Sequence, residues 1–212
     1  MLSTRILQYF NPSFMDVNKA FRSACENGHL EIVKLLLELN DVHANEDSFC
    51  LACENGHLEI VKLLLELNGD KRIRVNQINE LAFCLACKNG HLEIVKLLLE
   101  LDGFRRIDVH ANNEQAFQWT CENGHLDIVK LLLELDGFRR IDVHADDEYA
   151  FILACGNGHL EIVKLLLDLK GDRKINVHAD NEAAFHSACR NEHLKIIKLL
   201  LELEGDRKIF SI

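Results

Sequence analysis

Residues 27–39 read Asn-Gly-His-Leu-Glu-Ile-Val-Lys-Leu-Leu-Leu-Glu-Leu, and the same string returns unchanged from Asn55 and from Asn89. Close copies start at Asn123, Asn157 and Asn191. Measured on Gly28, Gly56, Gly90, Gly124, Gly158 and Glu192, which takes the glycine's place in the sixth copy, the intervals are 28, 34, 34, 34 and 34 residues. A fixed period of this length is the signature of a repeat array, in which one supersecondary unit is copied and stacked. Six units account for residues 16–212. They follow a segment, residues 1–15, whose Ile6, Leu7, Tyr9 and Phe10 suit an N-terminal cap.

Each unit carries two helical patterns. In the second, Glu31, Lys34 and Glu38 form a narrow polar stripe while Leu30, Ile32, Val33, Leu35, Leu36, Leu37 and Leu39 fill the other positions. Such a helix must be buried on most sides, which a lone unit cannot provide and stacked neighbours can. The first helix buries small residues: Ala20, Phe21, Ala24 and Cys25, then Ala116, Phe117, Thr120 and Cys121. Small side chains let neighbouring helices approach, and Phe21, Phe49, Phe83, Phe117, Phe151 and Phe185 then make one aromatic file down the core. Asn45, Asn79, Asn113, Asp147 and Asn181 stand where N-caps belong, each followed by a Glu that suits the helix dipole. The Asn-Gly step closes the first helix, since glycine takes the left-handed conformation without strain.

Composition narrows the function. The 24 Lys+Arg against 34 Asp+Glu give a net charge of −10, which opposes wrapping by nucleic acid. No apolar run approaches the ~18 residues of a membrane span, and the opening residues lack the apolar core of an export signal. Eight cysteines at repeat positions suit unpaired thiols in a reducing compartment, so the cytoplasm is expected, with the nucleus or a host-cell cytosol as variants.

The string Ala-Cys-x-Asn-Gly-His-Leu-Glu-Ile-Val-Lys-Leu-Leu-Leu, together with Asp-Val-His-Ala at 41–44, 108–111 and 142–145, resembles the ankyrin repeat over all six units. The resemblance implies an all-α helical repeat solenoid with short β-turn or loop connections, a single array over residues 16–212, and a non-catalytic interaction module or scaffold that binds a partner protein. Two departures stand out. Where the family opens its first helix with Thr-Pro-Leu-His, this chain has forms such as Gln-Ala-Phe-Gln at 115–118, and no repeat contains a proline. The connection before that helix is also shorter than the family's, and residues 103–106 lengthen the loop on the opposite side. Because the family binds partners with its fingers and first-helix face, short fingers shift the expected contacts to the concave helical groove. A substrate adaptor for a ubiquitin-ligase-type complex, or a host-directed effector of a virus or intracellular microbe, is the alternative.

Nothing points to chemistry. Cys50 with Cys53 and Cys84 with Cys87 mimic a zinc motif. They occupy equivalent turns of successive first helices, ~8–10 Å apart, whereas thiolates on one zinc must come within about 4 Å. The histidines form two periodic files, His29, His57, His91, His125, His159 and His193 at the inter-helix turn and His43, His110, His144 and His178 in the connection. A group repeated in every unit serves folding, whereas catalysis needs one residue in one tuned environment. No catalytic residue, metal or cofactor is expected, and the chain is expected to be a monomer.

Departures from the repeat are therefore the candidate binding residues: Gln118, Trp119, Glu122, Tyr149, Ile152 and Gly156, on the first helices of repeats 4 and 5. The basic pairs Arg105-Arg106, Arg139-Arg140 and Arg173-Lys174 would line up along one edge, with Lys71-Arg72 and Arg207-Lys208, as a candidate surface for an acidic partner. In repeat 6, Arg190, Glu192, Lys195 and Lys198 raise the charge as a terminal cap requires.

Overall fold

Each copy of the motif folds as two helices joined by a tight turn at Asn-Gly-His. The structure, a computed structural model, describes residues 14–39, 42, 44–67 and 79–209, without the side chains of residues 14–16, 79 and 104. Of the expected capping segment, residues 1–15, all but 14 and 15, which open the first helix, lie outside the described residues, as do His43 and the pair Lys71-Arg72. In chain order the helices are α1 (Phe14–Glu26), α2 (Leu30–Leu37), α3 (Glu46–Glu54), α4 (Leu58–Glu66), α5 (Asn79–Lys88), α6 (Leu92–Leu99), α7 (Ala111–Asn123), α8 (Leu126–Leu133), α9 (Ala145–Gly156), α10 (Leu160–Leu167), α11 (Ala179–Arg190) and α12 (Leu194–Leu201). Odd numbers are first helices and even numbers second helices. No strand occurs among the described residues, and the fold is all-α, as the repeat pattern requires.

The chain divides into two compact units, residues 1–86 with 93–107, and residues 87–92 with 108–212. In the first unit α1 packs against α3 and α2 against α4. In the second, α7 packs against α9 and α9 against α11, while α8 packs against α10 and α10 against α12. The apolar stripe of each second helix is buried in this stacking: Ile60, Val61 and Leu64 of α4, and Ile162, Val163 and Leu166 of α10, are at most 1% exposed. The polar stripe faces water, where Lys62 reaches Glu59 at 2.8 Å and Lys164 reaches Glu161 at 2.8 Å. Phe21, Phe49, Phe83, Phe117 and Phe151 are buried, each contributing roughly 1.5–3 kcal/mol. Phe185 of repeat 6 departs from this file; it is half-buried and meets His186 edge-on.

In repeats 1, 2, 4 and 5 the turn after the first helix is closed by its asparagine, while Asn191 of repeat 6 reaches back to the carbonyl of Gly156. Asn55 Nδ2 donates to the carbonyl of Leu51 at 2.9 Å, and Asn123 Nδ2 to that of Trp119 at 2.8 Å, satisfying carbonyls that the helix end leaves unpaired.

The lengthened loops form short 3-10 turns, Gly103–Arg105, Gly137–Arg139, Gly171–Arg173 and Gly205–Arg207. After each turn the chain alternates, burying Ile141 and Val143, or Ile175 and Val177, and exposing the residue between them.

The helix openings differ between repeats. In repeat 2 Asn45 is an N-cap, its side chain accepting the Ser48 N–H at 3.0 Å. In repeats 4 to 6 the expected caps Asn113, Asp147 and Asn181 instead lie inside a left-handed turn of three residues. Asn112, Asn113 and Glu114 have φ of 53°, 56° and 63°, and residues 146–148 and 180–182 repeat the pattern. L-residues adopt this region at a cost of roughly 1–2 kcal/mol each, least for Asn and Asp, so something specific must hold the turn.

Candidate functional site

Backbone carbonyls are what one repeat offers the next. In the first unit, Nε2 of His57 donates to the carbonyl of Glu26 at 2.9 Å. In the second unit, His125 does the same to Lys88 at 2.8 Å, His159 to Glu122 at 2.8 Å and His193 to Gly156 at 2.9 Å. The inter-helix file of histidines is thus a set of stitches, each running from the start of a second helix to the end of the preceding repeat's first helix.

The other file does more. His110 places Nδ1 2.6 Å from Glu114 Oε1 and Nε2 2.8 Å from the carbonyl of Phe138, in the next repeat's loop. The same Glu114 oxygen accepts the N–H of Asp142 at 3.0 Å. His144 repeats this with Glu148 at 2.8 Å and the Asp172 carbonyl at 2.7 Å, and Glu148 accepts the N–H of Asn176 at 2.9 Å. His178 meets Glu182 and the Asp206 carbonyl, both at 3.0 Å. Glu114 and Glu148 are each only 3% exposed. The left-handed turn exists to carry these carboxylates: it returns the chain so that the residue four after the histidine faces its ring. The hydrogen bond to Glu114 and then the Phe138 carbonyl raise the pKa of His110. At His144 burial opposes the charge, but Glu148, the Asp172 carbonyl and Asp142 outweigh it and the pKa is again raised. The sequence signal was His-x-x-x-Glu at 110–114, 144–148 and 178–182; the repeat pattern gave it no role because helical spacing does not govern a left-handed turn.

The six candidate binding residues separate by environment. Gln118 is turned inward, 8% exposed, with Nε2 donating to the Asn113 carbonyl at 2.8 Å and to Asp146 Oδ2 at 2.9 Å. Gly156 is held by close packing: a Cβ there would lie 3.3 Å from the Ser187 Cβ, and its carbonyl accepts both Asn191 Nδ2 and His193. Glu122 is half-buried and lends its carbonyl to His159. Trp119 is half-exposed, with the Lys88 ammonium 5.2 Å from its ring centroid, in a cation–π contact. Tyr149 is 45% exposed and Ile152 half-exposed. On α7 the residues at 115, 119 and 122 share a face by helical spacing. On the neighbouring α9 the equivalent positions carry Tyr149, Leu153 and Gly156.

The basic loops are internally engaged. Arg105 donates to the Leu65 carbonyl, Arg173 to that of Leu133 and Arg207 to that of Leu167, at 3.1, 3.1 and 2.9 Å, each closing the C-terminus of the preceding repeat's second helix. The second residues of the pairs reach forward. Arg140 clasps Asp172 with two bonds of 2.6 and 2.9 Å, holding that carboxyl down to about 2, and Lys174 pairs with Asp206. Arg106 is exposed and Arg139 half-buried.

Seven of the eight cysteines are buried, Cys50, Cys53, Cys84 and Cys87 among them, and Cys189 is exposed. Burial pushes the Cys25, Cys50 and Cys84 thiols up to about 12, so they are protonated at neutral pH. Among the described residues no group of three His, Cys, Asp or Glu is placed to hold a metal ion. No described helix is long and apolar enough to cross a membrane.

Comparison with known proteins places these features. The family described as ankyrin repeats matches in three copies, over residues 5–75, 49–147 and 135–209. None of the curated proteins compared matches the chain. Among solved structures, an X-ray structure of an ankyrin repeat family protein from Legionella pneumophila is similar at 20% identity and a TM-score of 0.47, covering 92% of this chain and 72% of that one.

Proposed function

The chain belongs to the ankyrin-repeat family, and from that premise we propose that it is a non-catalytic module binding a partner protein through the first-helix face of repeats 4 and 5. Ankyrin repeats are generally protein-interaction modules. The observation that carries the choice of face is the partial exposure of Trp119 on α7 beside that of Tyr149 on the adjoining α9. Large aromatic side chains left half in water are the side chains most often found as energetic anchors at interfaces. Trp119 is held in place beneath Lys88, so it pays little ordering entropy on binding. Ile152 and the side chain of Glu122 complete the face. Gln118 and Gly156 shape it from behind, one by fixing the left-handed turns and the other by letting α11 approach.

The basic edge is a weaker surface for an acidic partner, because Arg105 and Arg173 are committed to carbonyls and Arg140 and Lys174 to aspartates.

The experiment is capture of bound proteins from the cytosol of the source organism, with wild type compared with Trp119→Leu and Tyr149→Ala. Three sister repeats carry Leu at the Trp119 position, as Leu51, Leu85 and Leu153, so Trp119→Leu should melt like wild type while affinity falls by roughly 1–3 kcal/mol. Unchanged affinity in both variants refutes this face.

A further inference from the structure

We infer that the His–Glu pairs of repeats 4 and 5 are proton-dependent clasps, which join consecutive repeats while a proton sits between ring and carboxylate and let go when it leaves. The argument is a count of donors and acceptors. In His110, Nε2 faces the carbonyl of Phe138, which can only accept, so Nε2 carries a hydrogen. Nδ1 then faces Glu114 Oε1 at 2.6 Å, too close for a bare nitrogen lone pair against a carboxylate. One further proton must lie between them. Glu114 Oε1 also accepts the N–H of Asp142, which favours the carboxylate against its buried, unpartnered Oε2, and with Asp108 beside the ring that proton lies on the ring as an imidazolium. His144 and Glu148 repeat the arrangement, with the Asp172 carbonyl on Nε2 and the N–H of Asn176 on the carboxylate. His178 and Glu182 have the same ring contacts, with the Asp206 carbonyl on Nε2.

Each of these two clasps reaches the following repeat twice: the ring donates to a carbonyl there and the carboxylate accepts an N–H there. Loss of the proton sets lone pair against carboxylate, the two must part, and the carboxylate's bond to the next repeat is displaced with them. The strained left-handed turns of repeats 4 and 5 then lose their bond to the ring and keep the Gln118 amide, which reaches Asn113 in one and Asp146 in the other. The acidic groups around each ring act in one direction. Asp108 stands beside His110 and Asp142 beside His144, each accepting the histidine's own N–H. Of the cations of the facing loops, Arg140 pairs with Asp172, Lys174 with Asp206, and Arg173 donates to the Leu133 carbonyl, while Arg139, next to Phe138, has a buried Nε with no hydrogen-bond partner and opposes the charge on His110. Because these surroundings raise the pKa of His110 and His144 in the fold, the clasps contribute fully below the ordinary histidine value of ~6.5, and their contribution is lost as pH rises through the folded value. Within that window each clasp costs the folding equilibrium constant up to roughly tenfold per pH unit.

The test uses the full chain in two measurements. Ring-proton NMR titration of the folded wild type should give midpoints for His110 and His144 above ~6.5. Chemical unfolding from pH 6 to 9 should show wild type losing stability through those midpoints, and the variant His110→Gln with His144→Gln losing markedly less over the same range. Midpoints at or below ~6.5, or an equal pH dependence in wild type and variant, overturn the inference. Should the double variant fail to fold, the wild-type ring titration decides alone.

Discussion

The ring of His159 occupies the space a Cβ on Gly124 would need: such an atom would lie 2.6 Å from both Nδ1 and Cε1. Gly124 also holds φ of +79°, so two independent reasons exclude a side chain there. Gly124→Ala must strain the backbone and push away the ring that donates to Glu122. The expected loss is about 2–3 kcal/mol, read as a lower urea midpoint at unchanged slope. In the sixth repeat Glu192 adopts φ of 60° with a side chain in place. Glu192→Gly should therefore move stability the other way, upward by about 1 kcal/mol, through relief of the left-handed strain.

Gln118 was expected to meet a partner, but its amide holds two successive left-handed turns, through the Asn113 carbonyl and Asp146. Gln118→Ala should cost about 1–2 kcal/mol of folding stability, with affinity for a captured partner little changed in the folded fraction. A variant that melts like wild type but binds poorly would return Gln118 to the binding face.

The two residues of a basic pair should answer differently to mutation. Arg173→Ser removes a guanidinium from the C-terminal carbonyl of Leu133 and should cost about 1–2 kcal/mol, nearly independent of salt. Arg140→Ser breaks an exposed pair with Asp172, so its smaller effect should fade as salt is raised from low to moderate concentration. Equal, salt-sensitive losses in both would show that Arg173 acts as a surface charge.

Thiol accessibility gives a direct check on the core. The native chain should release about one equivalent of chromophore from a disulfide reagent at pH 8, from exposed Cys189, and the buried thiols should react only with unfolding. Fast reaction of several thiols would mean the first helices open readily.

The repeat period, the Glu–Lys stripe of the second helices, the buried phenylalanines and the left-handed Asn-Gly turn were all legible, because each follows from helical spacing or from one residue's conformational limits. The openings of α7, α9 and α11 were not. Three successive residues at positive φ run against every local preference, so a residue before a helix reads as an N-cap unless the bond that holds the strained turn is known. That bond goes to a ring four residues back and to a backbone group 28 residues on, as between Glu114, His110 and Asp142. Arg105 escaped for a similar reason: its acceptor, the Leu65 carbonyl, lies 40 residues earlier, and two adjacent arginines look the same in sequence whether they face water or a helix end. On the proposed binding face, the exposure of Trp119 and Tyr149 could be suspected from the break in the repeat, whereas the inward turn of Gln118 depended on where Asp146 came to stand.

The histidine stitches have a consequence for how such a chain can change over generations. What His57, His125, His159 and His193 recognise is a main-chain oxygen, at Glu26, Lys88, Glu122 and Gly156. The histidine does not read the side chain at that position, and an acid, a base and a glycine all serve it, although Lys88 also lies over the Trp119 ring and Gly156 packs against Ser187. Where no other contact fixes the residue, as at Glu26, mutation can therefore rewrite this column without breaking the histidine bond, so a duplicated array can drift toward new specificities while its joints are inherited intact.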